Sequence, residues 1–360
     1  MSLRVVIAGG GTGGHLFPGV AVARELLSRR GDAHVTFVGT AAGIESKVIP
    51  RERFELDLIR SAGLKGKSLS ALVRGLTLLP LSAIDAWQVL SRRRPNVVLG
   101  VGGYSSGPVV LLAALRGIPT LLMEQNAAPG LTNRLLARVV NAAAVTYGES
   151  LAHFAGRAFV SGNPVRAEFF AASPEAEGET HEQVRVLVFG GSQGAHAINV
   201  AMVEAASRLA TATPRLAITH QTGERDLEMV RDGYRNAGLE ARVEPFLYAM
   251  DREMKEAALV VSRAGATTVA ELMAAGRPSI LIPLPTATDD HQRKNAQAVV
   301  ARGGAQMVEQ KELSGERLAV EITALAADAA GRRRMGDAAR ALARPDAARA
   351  IVEKVIAIAR

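Results

Sequence analysis

The chain has 360 residues, 48% of them hydrophobic and 22% charged, and no cysteine. That length supplies two cores of ordinary size, the apolar share excludes wholesale disorder, and the missing thiols exclude disulfides, zinc–thiolate centres and cysteine nucleophiles. The net charge of +8 is uneven: residues 1–165 carry 18 Lys and Arg against 9 Asp and Glu, whereas 166–360 carry 25 against 26. The positive half reads either as a face for phosphates, nucleic acid or anionic membrane, or as solvated surface charge.

Residues 5–8 form an apolar strand that runs directly into glycines, which leaves no room for a signal peptide. No later run is apolar for long enough to span a bilayer. A glycine turn, a helix over 17–30 and a strand over 34–38 follow. In "VVIAGGGTGGHLFPG" (5–19), Gly9, Gly11 and Gly14 satisfy the dinucleotide pattern G-x-G-x-x-G. Glycine there lets backbone amides approach an anion, or merely permits the turn. A nicotinamide site also needs an acid at the tip of the second strand. The tip here, "TFVGTAAG" (36–43), has none, and Glu45 comes later. His15 stands where the helix begins. It reads as a local cap, or as a base whose protonated form the helix terminus disfavours.

The stretch "GLKGKSLSALVRGLTLLPLSAIDAWQVLSRRR" (63–94) sets Leu69, Leu72, Leu76, Leu79 and Trp87 among Lys65, Lys67, Arg74 and three arginines. It reads as two core helices broken at Pro80, or as a basic amphipathic surface that docks on anionic lipid through 69–81. Strands at 97–101 and 120–123 alternate with helices at 108–115 and 131–140, the signature of parallel βαβ units.

A polar join covers 171–183, and the pattern restarts in "VRVLVFGGSQGAH" (184–196). A shift of 181 residues lays Gly9 on Gly190, Gly10 on Gly191, Gly13 on Gly194 and His15 on His196. Strands at 215–220, 259–262 and 279–283 continue it. In "VSRAGATTVAELMAAGRPSILIP" (261–283), a turn at Gly265 opens a helix near Thr267. The amides of Gly265, Ala266, Thr267 and Thr268 suit a diphosphate, and Glu271 suits ribose hydroxyls or simply the helix dipole. Asp289, Asp290 and His291 suggest a metal, but three adjacent side chains rarely converge on one ion. Gln292 and Asn295 beside them are hydroxyl-binding types, and no metal or cofactor is expected. A last helix is predicted over 347–359. The fold class is α/β, with two doubly wound, Rossmann-like domains at 1–163 and 164–345, and a helix at 346–360 that packs on either.

Seven motifs in order, "GGTGGHLFPG", "GGYSSGP", "EQNAAPGLTN", "GNPVR", "GGSQGA", "GATTVAEL" and "DDHQRKNA", make nearly the whole chain resemble the MurG family. Its members transfer N-acetylglucosamine from UDP-N-acetylglucosamine to lipid I, giving lipid II of peptidoglycan. One departure is Met123, where the family often has histidine.

The resemblance implies a GT-B architecture, two parallel-sheet domains facing across a cleft. It implies donor contacts from the backbone of Leu247 to uracil and from Glu271 to ribose. Phosphate would lie on Ser192, Ala266 and Thr267, with charge from Arg166, and the sugar on Gln292 and Asn126. Thr12, Gly13, Gly14 and His15 would meet lipid I and the reacting sugar, with Tyr104 and Asn133 on the acceptor side. The reaction would be an inverting displacement, with His15 the first choice of base and Glu124 the second. Lys65, Lys67, Leu72, Arg74, Leu76 and Leu79 would face the membrane, putting a peripheral enzyme on the cytoplasmic face of the bacterial inner membrane.

Three rivals are separable. A UDP-N-acetylglucosamine 2-epimerase would consume the donor without acceptor. A dehydrogenase would be stabilised by NAD. A nucleic-acid module is disfavoured by aromatics of only 4%.

Overall fold

The computed structural model describes residues 2–61, 69–170, 183–191 and 194–359, with side chains at all of these except 69–77 and 288. The chain divides into two compact units, Met1–Arg166 with Arg344–Arg360, and Ala167–Ala343. The division therefore falls after Arg166 rather than after residue 163.

In the first unit the elements run β1 (Arg4–Gly9), α1 (Gly13–Arg29), β2 (His34–Gly39), α2 (Glu45–Arg51), β3 (Glu55–Leu58) and α3 (Leu69–Arg93). They continue with β4 (Val97–Gly102), α4 (Ser106–Leu115), β5 (Thr120–Glu124), α5 (Leu131–Leu136), β6 (Ala142–Val145) and β7 (Ala158–Val160). The seven strands are ordered β3-β2-β1-β4-β5-β6-β7, and every pair is parallel. Successive residues of β1 serve opposite faces: Val5 and Ile7 pack with Leu16 and Val20 of α1, Val6 and Ala8 with Val109 and Val110 of α4. A parallel sheet covered on both faces reads as an unbroken apolar run, which is why β1 and β4 stand out in the sequence.

Two boundaries differ from expectation. Helix α1 starts at Gly13, not 17, so the glycines themselves form its first turn. Helix α3 is one helix that contains Pro80. The missing amide donor costs one hydrogen bond, while Ser82, Ala86, Val89 and Leu90 beyond it stay buried at helical spacing.

The second unit runs β8 (Gln183–Phe189), α6 (His196–Ala210), β9 (Arg215–Gln221), α7 (Leu227–Asn236), β10 (Ala241–Glu244), α8 (Met250–Glu256) and β11 (Leu259–Ser262). It ends with α9 (Ala266–Ala275), β12 (Ser279–Leu281), α10 (His291–Val300), β13 (Gln306–Met307), α11 (Gly315–Ala327) and α12 (Ala329–Ala341). Its six strands are ordered β10-β9-β8-β11-β12-β13, again all parallel. The final helix, α13 (Ala347–Ile358), returns to the first unit, where Ile351, Val352 and Val355 join the core beside α1. The expected join lies outside the described residues except for Gln183, which opens β8.

Each sheet has a point where successive strands lie on opposite sides, between β1 and β4 and between β8 and β11. Loops at the carboxyl ends of strands beside such a point form the ligand crevice of an open α/β sheet.

Candidate active site

In the first unit the loops after β1, β4 and β5 meet. Gly10 donates to the Gly102 carbonyl at 3.3 Å, joining the first two. His15, in the first turn of α1, places Nδ1 3.3 Å from Oε1 of Gln125. Gln125 is 2% exposed and donates through Nε2 to the Val101 carbonyl at 3.0 Å. The imidazole also lies against Gly102, whose φ is +93° and where a Cβ would stand 2.8 Å from Nδ1. Glycine is required there for both reasons.

Glu45 explains why the G-x-G pattern misleads. Its buried carboxylate accepts from the Gly11 amide at 2.7 Å, the Thr40 amide at 2.8 Å and the Thr40 hydroxyl at 3.0 Å. A Cβ at Gly10, Gly39 or Gly43 would overlap it. These glycines make room for a protein carboxylate, and a diphosphate at Gly11 would meet that negative charge. The acid that reading along the chain sets aside as misplaced is thus the one that fills the loop.

Glu124 is not placed to act as a base. It is 3% exposed, and its two oxygens accept four hydrogen bonds. The Asn126 amide and Nδ2 reach Oε1 at 3.0 and 3.2 Å; the Gly130 amide and Asn133 Nδ2 reach Oε2 at 3.0 and 2.8 Å. The geometry makes it the organiser of the loop that carries Gln125. Asn133 is buried with it and donates also to the Met123 carbonyl at 3.0 Å, so its amide nitrogen serves the loop. Asn126 keeps its place on the loop, with its amide nitrogen held by Glu124. Tyr104 is half exposed on the loop after β4. Thr12 caps α1 in extended conformation without a side-chain bond, ahead of Gly13 and Gly14. The Arg166 guanidinium lies 4.9 Å from the ring centre of Phe17 on the same helix, a cation–π contact.

In the second unit Gly265 caps α9 in extended conformation, and Val269 is the first amide to reach back to its carbonyl, at 2.9 Å. Ala266, Thr267 and Thr268 therefore form the first turn, whose amides a helix leaves to outside acceptors. No acidic residue stands in that turn, as an anion site requires. Glu271 follows on the same helix and is 8% exposed. The Leu247 amide is already taken, donating to Gln221 Oε1 at 2.9 Å, while Gln221 Nε2 donates to the Gly191 carbonyl at 2.8 Å. A backbone contact from Leu247 to a base must then use its carbonyl. Gln292 Oε1 likewise accepts from the Leu284 amide at 3.0 Å, which leaves its NH2 as the group with hydrogen to offer a sugar. Ser192 lies outside the described residues.

Sequence reasoning missed a polar chain in this unit that runs from the exposed His196 to buried Asp226, Asn199, His220 and Tyr234. His196 Nδ1 meets Asp226 at 3.0 Å, Asn199 donates to the same carboxylate at 2.8 Å, and His220 bridges Asn199 at 3.0 Å and the Tyr234 hydroxyl at 2.7 Å. Burial pushes His220 down to about 3 and Tyr234 up. It also missed Arg263, buried just before Gly265, which donates to the carbonyls of Ile282 and Pro283 and to Gln310; burial lowers it to about 10. Neither pattern is legible along the chain, because the partners come from separate elements, α6, β9 and α7 in the first and the segments around residues 282–283 and 310 in the second.

Of the expected membrane-facing residues, Lys65 and Lys67 lie outside the described residues, as do the side chains of Leu72, Arg74 and Leu76. Leu79 is exposed, and so are Ile84 and Trp87 further along α3 and Leu111 and Leu115 on the packed neighbour α4. Arg116 stacks over Trp87 at 4.5 Å. Among the described residues no helix is long and apolar enough to cross a membrane, and no group of three or more His, Asp and Glu side chains is placed to hold a metal ion.

Residues 5–145 match the glycosyltransferase family 28 N-terminal domain, and 185–351 match its C-terminal domain. A protein of Anaeromyxobacter sp. (strain K), named UDP-N-acetylglucosamine--N-acetylmuramyl-(pentapeptide) pyrophosphoryl-undecaprenol N-acetylglucosamine transferase, is 48% identical over 359 residues, covering 99% of this chain and 94% of its own. The protein of that name from Myxococcus xanthus (strain DK1622) is 46% identical over 352 residues, covering 98% and 92%. The crystal structure of Acinetobacter baumannii MurG covers 99% of both chains with a TM-score of 0.77 at 29% identity. A UDP-GlcNAc 2-epimerase from Neisseria meningitidis, with a TM-score of 0.68 at 14% identity and coverage of 99% and 100%, shares the fold alone. Matched in both halves and over nearly its whole length, the chain belongs to the MurG family, within glycosyltransferase family 28.

Proposed function

We infer that this chain transfers N-acetylglucosamine from UDP-N-acetylglucosamine to the 4-hydroxyl of the N-acetylmuramoyl unit of lipid I, giving lipid II with inversion at the anomeric carbon. The observation that carries this is near-full-length identity of 48% to a transferase named for those two substrates.

The acceptor oxygen attacks C1 of the donor sugar, the bond from C1 to the diphosphate breaks, and UDP leaves. His15 takes the proton of the 4-hydroxyl as that oxygen bonds to C1. Negative charge grows on the leaving diphosphate, which the first-turn amides of Ala266, Thr267 and Thr268 stabilise with no reorganisation; one such donor contributes about 3 kcal/mol. Glu271 accepts from the ribose hydroxyls, the Leu247 carbonyl accepts from uracil, and the Gln292 NH2 donates to the sugar. Arg166 adds positive charge toward the phosphates, and Ser192 a hydroxyl. Asn126 meets the donor sugar, as Gln292 does, and Thr12, Gly13, Gly14 and Tyr104 line the acceptor's approach. The lipid anchor of the acceptor puts the work at an anionic membrane surface, on its cytoplasmic side, where the basic stretch from Lys65 to Arg74 docks.

The test is UDP release from UDP-N-acetylglucosamine with a lipid I analogue. His15→Ala is expected to lower turnover by about 10²–10⁴-fold, the worth of a general base, while UDP affinity holds. Equal loss of both would make His15 a folding residue, and donor consumption without acceptor would make the chain an epimerase.

A further inference from the structure

We propose that Gln125 is a positioning residue that fixes which ring nitrogen of His15 carries the hydrogen, and so presents Nε2 as the proton acceptor. The inference rests on the reading of His15 as the base and adds the device that prepares it.

The argument starts at the Val101 carbonyl. A carbonyl oxygen accepts and cannot donate, so the Gln125 atom 3.0 Å from it must be the amide nitrogen. That settles the orientation of the side-chain amide. Its oxygen is then the atom that faces His15 Nδ1 at 3.3 Å. An amide oxygen also only accepts, so the contact is a hydrogen bond when Nδ1 carries the hydrogen. In the neutral ring the lone pair is then on Nε2.

The surroundings hold this arrangement. Gln125 is 2% exposed, so water does not compete for either end of its amide. The absence of a Cβ at Gly102 leaves room for the imidazole beside Val101, where a Cβ would stand 2.8 Å from Nδ1. The residue before Gln125, Glu124, is saturated by four donors from residues 126, 130 and 133 and pins the start of the loop. A neutral amide suits the task. A carboxylate in the same place would also stabilise the protonated ring, and a ring already protonated cannot take the acceptor's proton.

The experiment uses the full chain labelled with 15N-histidine. The seven histidines are separated by comparison with His15→Ala, whose spectrum lacks one ring. At a pH where the ring is neutral, His15 is expected to show a protonated Nδ1 and a bare Nε2. In Gln125→Leu the two tautomers are expected to mix. Turnover should fall by about 10- to 100-fold, the range lost when a metal-bound histidine loses its orienting partner, with KM for UDP-N-acetylglucosamine unchanged. A purely structural role would move KM and UDP affinity together with turnover. A protonated Nε2 in the wild type would overturn the proposal, and needs no variant to fold. So would a Gln125→Leu chain with wild-type tautomer and turnover. If Nδ1 is protonated but His15→Ala keeps its turnover, the tautomer assignment stands and the reading of His15 as base falls.

Discussion

At the scale of single residues, the two buried glutamates of the first unit show how little a side chain's identity says about its work. Glu124 offers two oxygens and receives four donors. Replaced by glutamine, one of those oxygens becomes an NH2 facing N–H groups, so donors confront donors. Glu124→Gln is expected to lower stability by about 1–3 kcal/mol, the cost of buried polar groups left unmatched, read as a lower urea midpoint. The acid limb of the pH–rate profile should stay where it is. If that limb vanished and the midpoint held, Glu124 would be the base and His15 would lose that role. The sequence offers Glu124 as a carboxylate beside a strand end, which is legible, and hides its partners, which is not. Asn126, Gly130 and Asn133 come to it only because the loop after β5 folds back on itself. Glu45 is the mirror case. The missing acid at the tip of β2 correctly weighs against a nicotinamide site, yet the loop that looks in sequence like a phosphate cradle gives Glu45 its space at Gly10 and its amide at Gly11, while Gly39 at the end of β2 and Gly43 beyond it supply the rest of the room.

Among elements, strands with β-branched runs buried on both faces, such as β4 and β11, are legible directly. Those that pattern reading passes over are the outer strands β3, β7, β10 and β13, short and partly exposed, and β6, whose "AAAV" has little strand propensity. The packing of α6, β9 and α7 around His220 is invisible to pattern, and it has a pH signature. His220 is neutral in the fold, lowered to about 3 by burial, whereas an unfolded histidine titrates near 6.5. Between those values the unfolded chain binds the extra proton, so stability is full above pH ~6.5 and is lost as pH falls toward ~3, by up to about 1.4 kcal/mol per unit. Burial alone would raise Asp226, but hydrogen bonds from Asn199 and His196 leave it lowered. Its contribution is therefore lost only in a more acid window, below about pH 4. Urea unfolding followed by far-UV circular dichroism is expected to show the wild-type midpoint falling from pH 6.5 to 4. A His220→Gln chain should start lower at pH 7 and change less across that window. Parallel curves would mean the ring is protonated in the folded protein.

For the whole molecule the unresolved question of sequence is where the positive charge goes. The excess lies in the first 165 residues, 18 basic against 9 acidic, and the first unit also carries exposed apolar side chains on adjoining helices. Leu79, Ile84 and Trp87 of α3 and Leu111 and Leu115 of α4 are between 41% and 72% exposed, and α3 packs on α4. Either feature alone is ordinary for a soluble surface. Together, basic groups beside apolar side chains favour an anionic lipid surface, since the charge draws the face in and the apolar groups enter the headgroup layer. Each basic residue near such a surface contributes about 1 kcal/mol. Replacing Lys65, Lys67 and Arg74 by glutamate is therefore expected to weaken binding to phosphatidylglycerol vesicles by at least ~100-fold, measured by co-flotation. Added salt should weaken the wild type and leave the variant little changed, because screening acts on attraction that the variant has lost. Trp87→Ser should reduce binding at every salt concentration, because its share is burial rather than charge. If the triple variant floats with anionic vesicles as well as the wild type does, the basic stretch is solvated charge. The route to a lipid-anchored acceptor would then have to run through another face of the first unit.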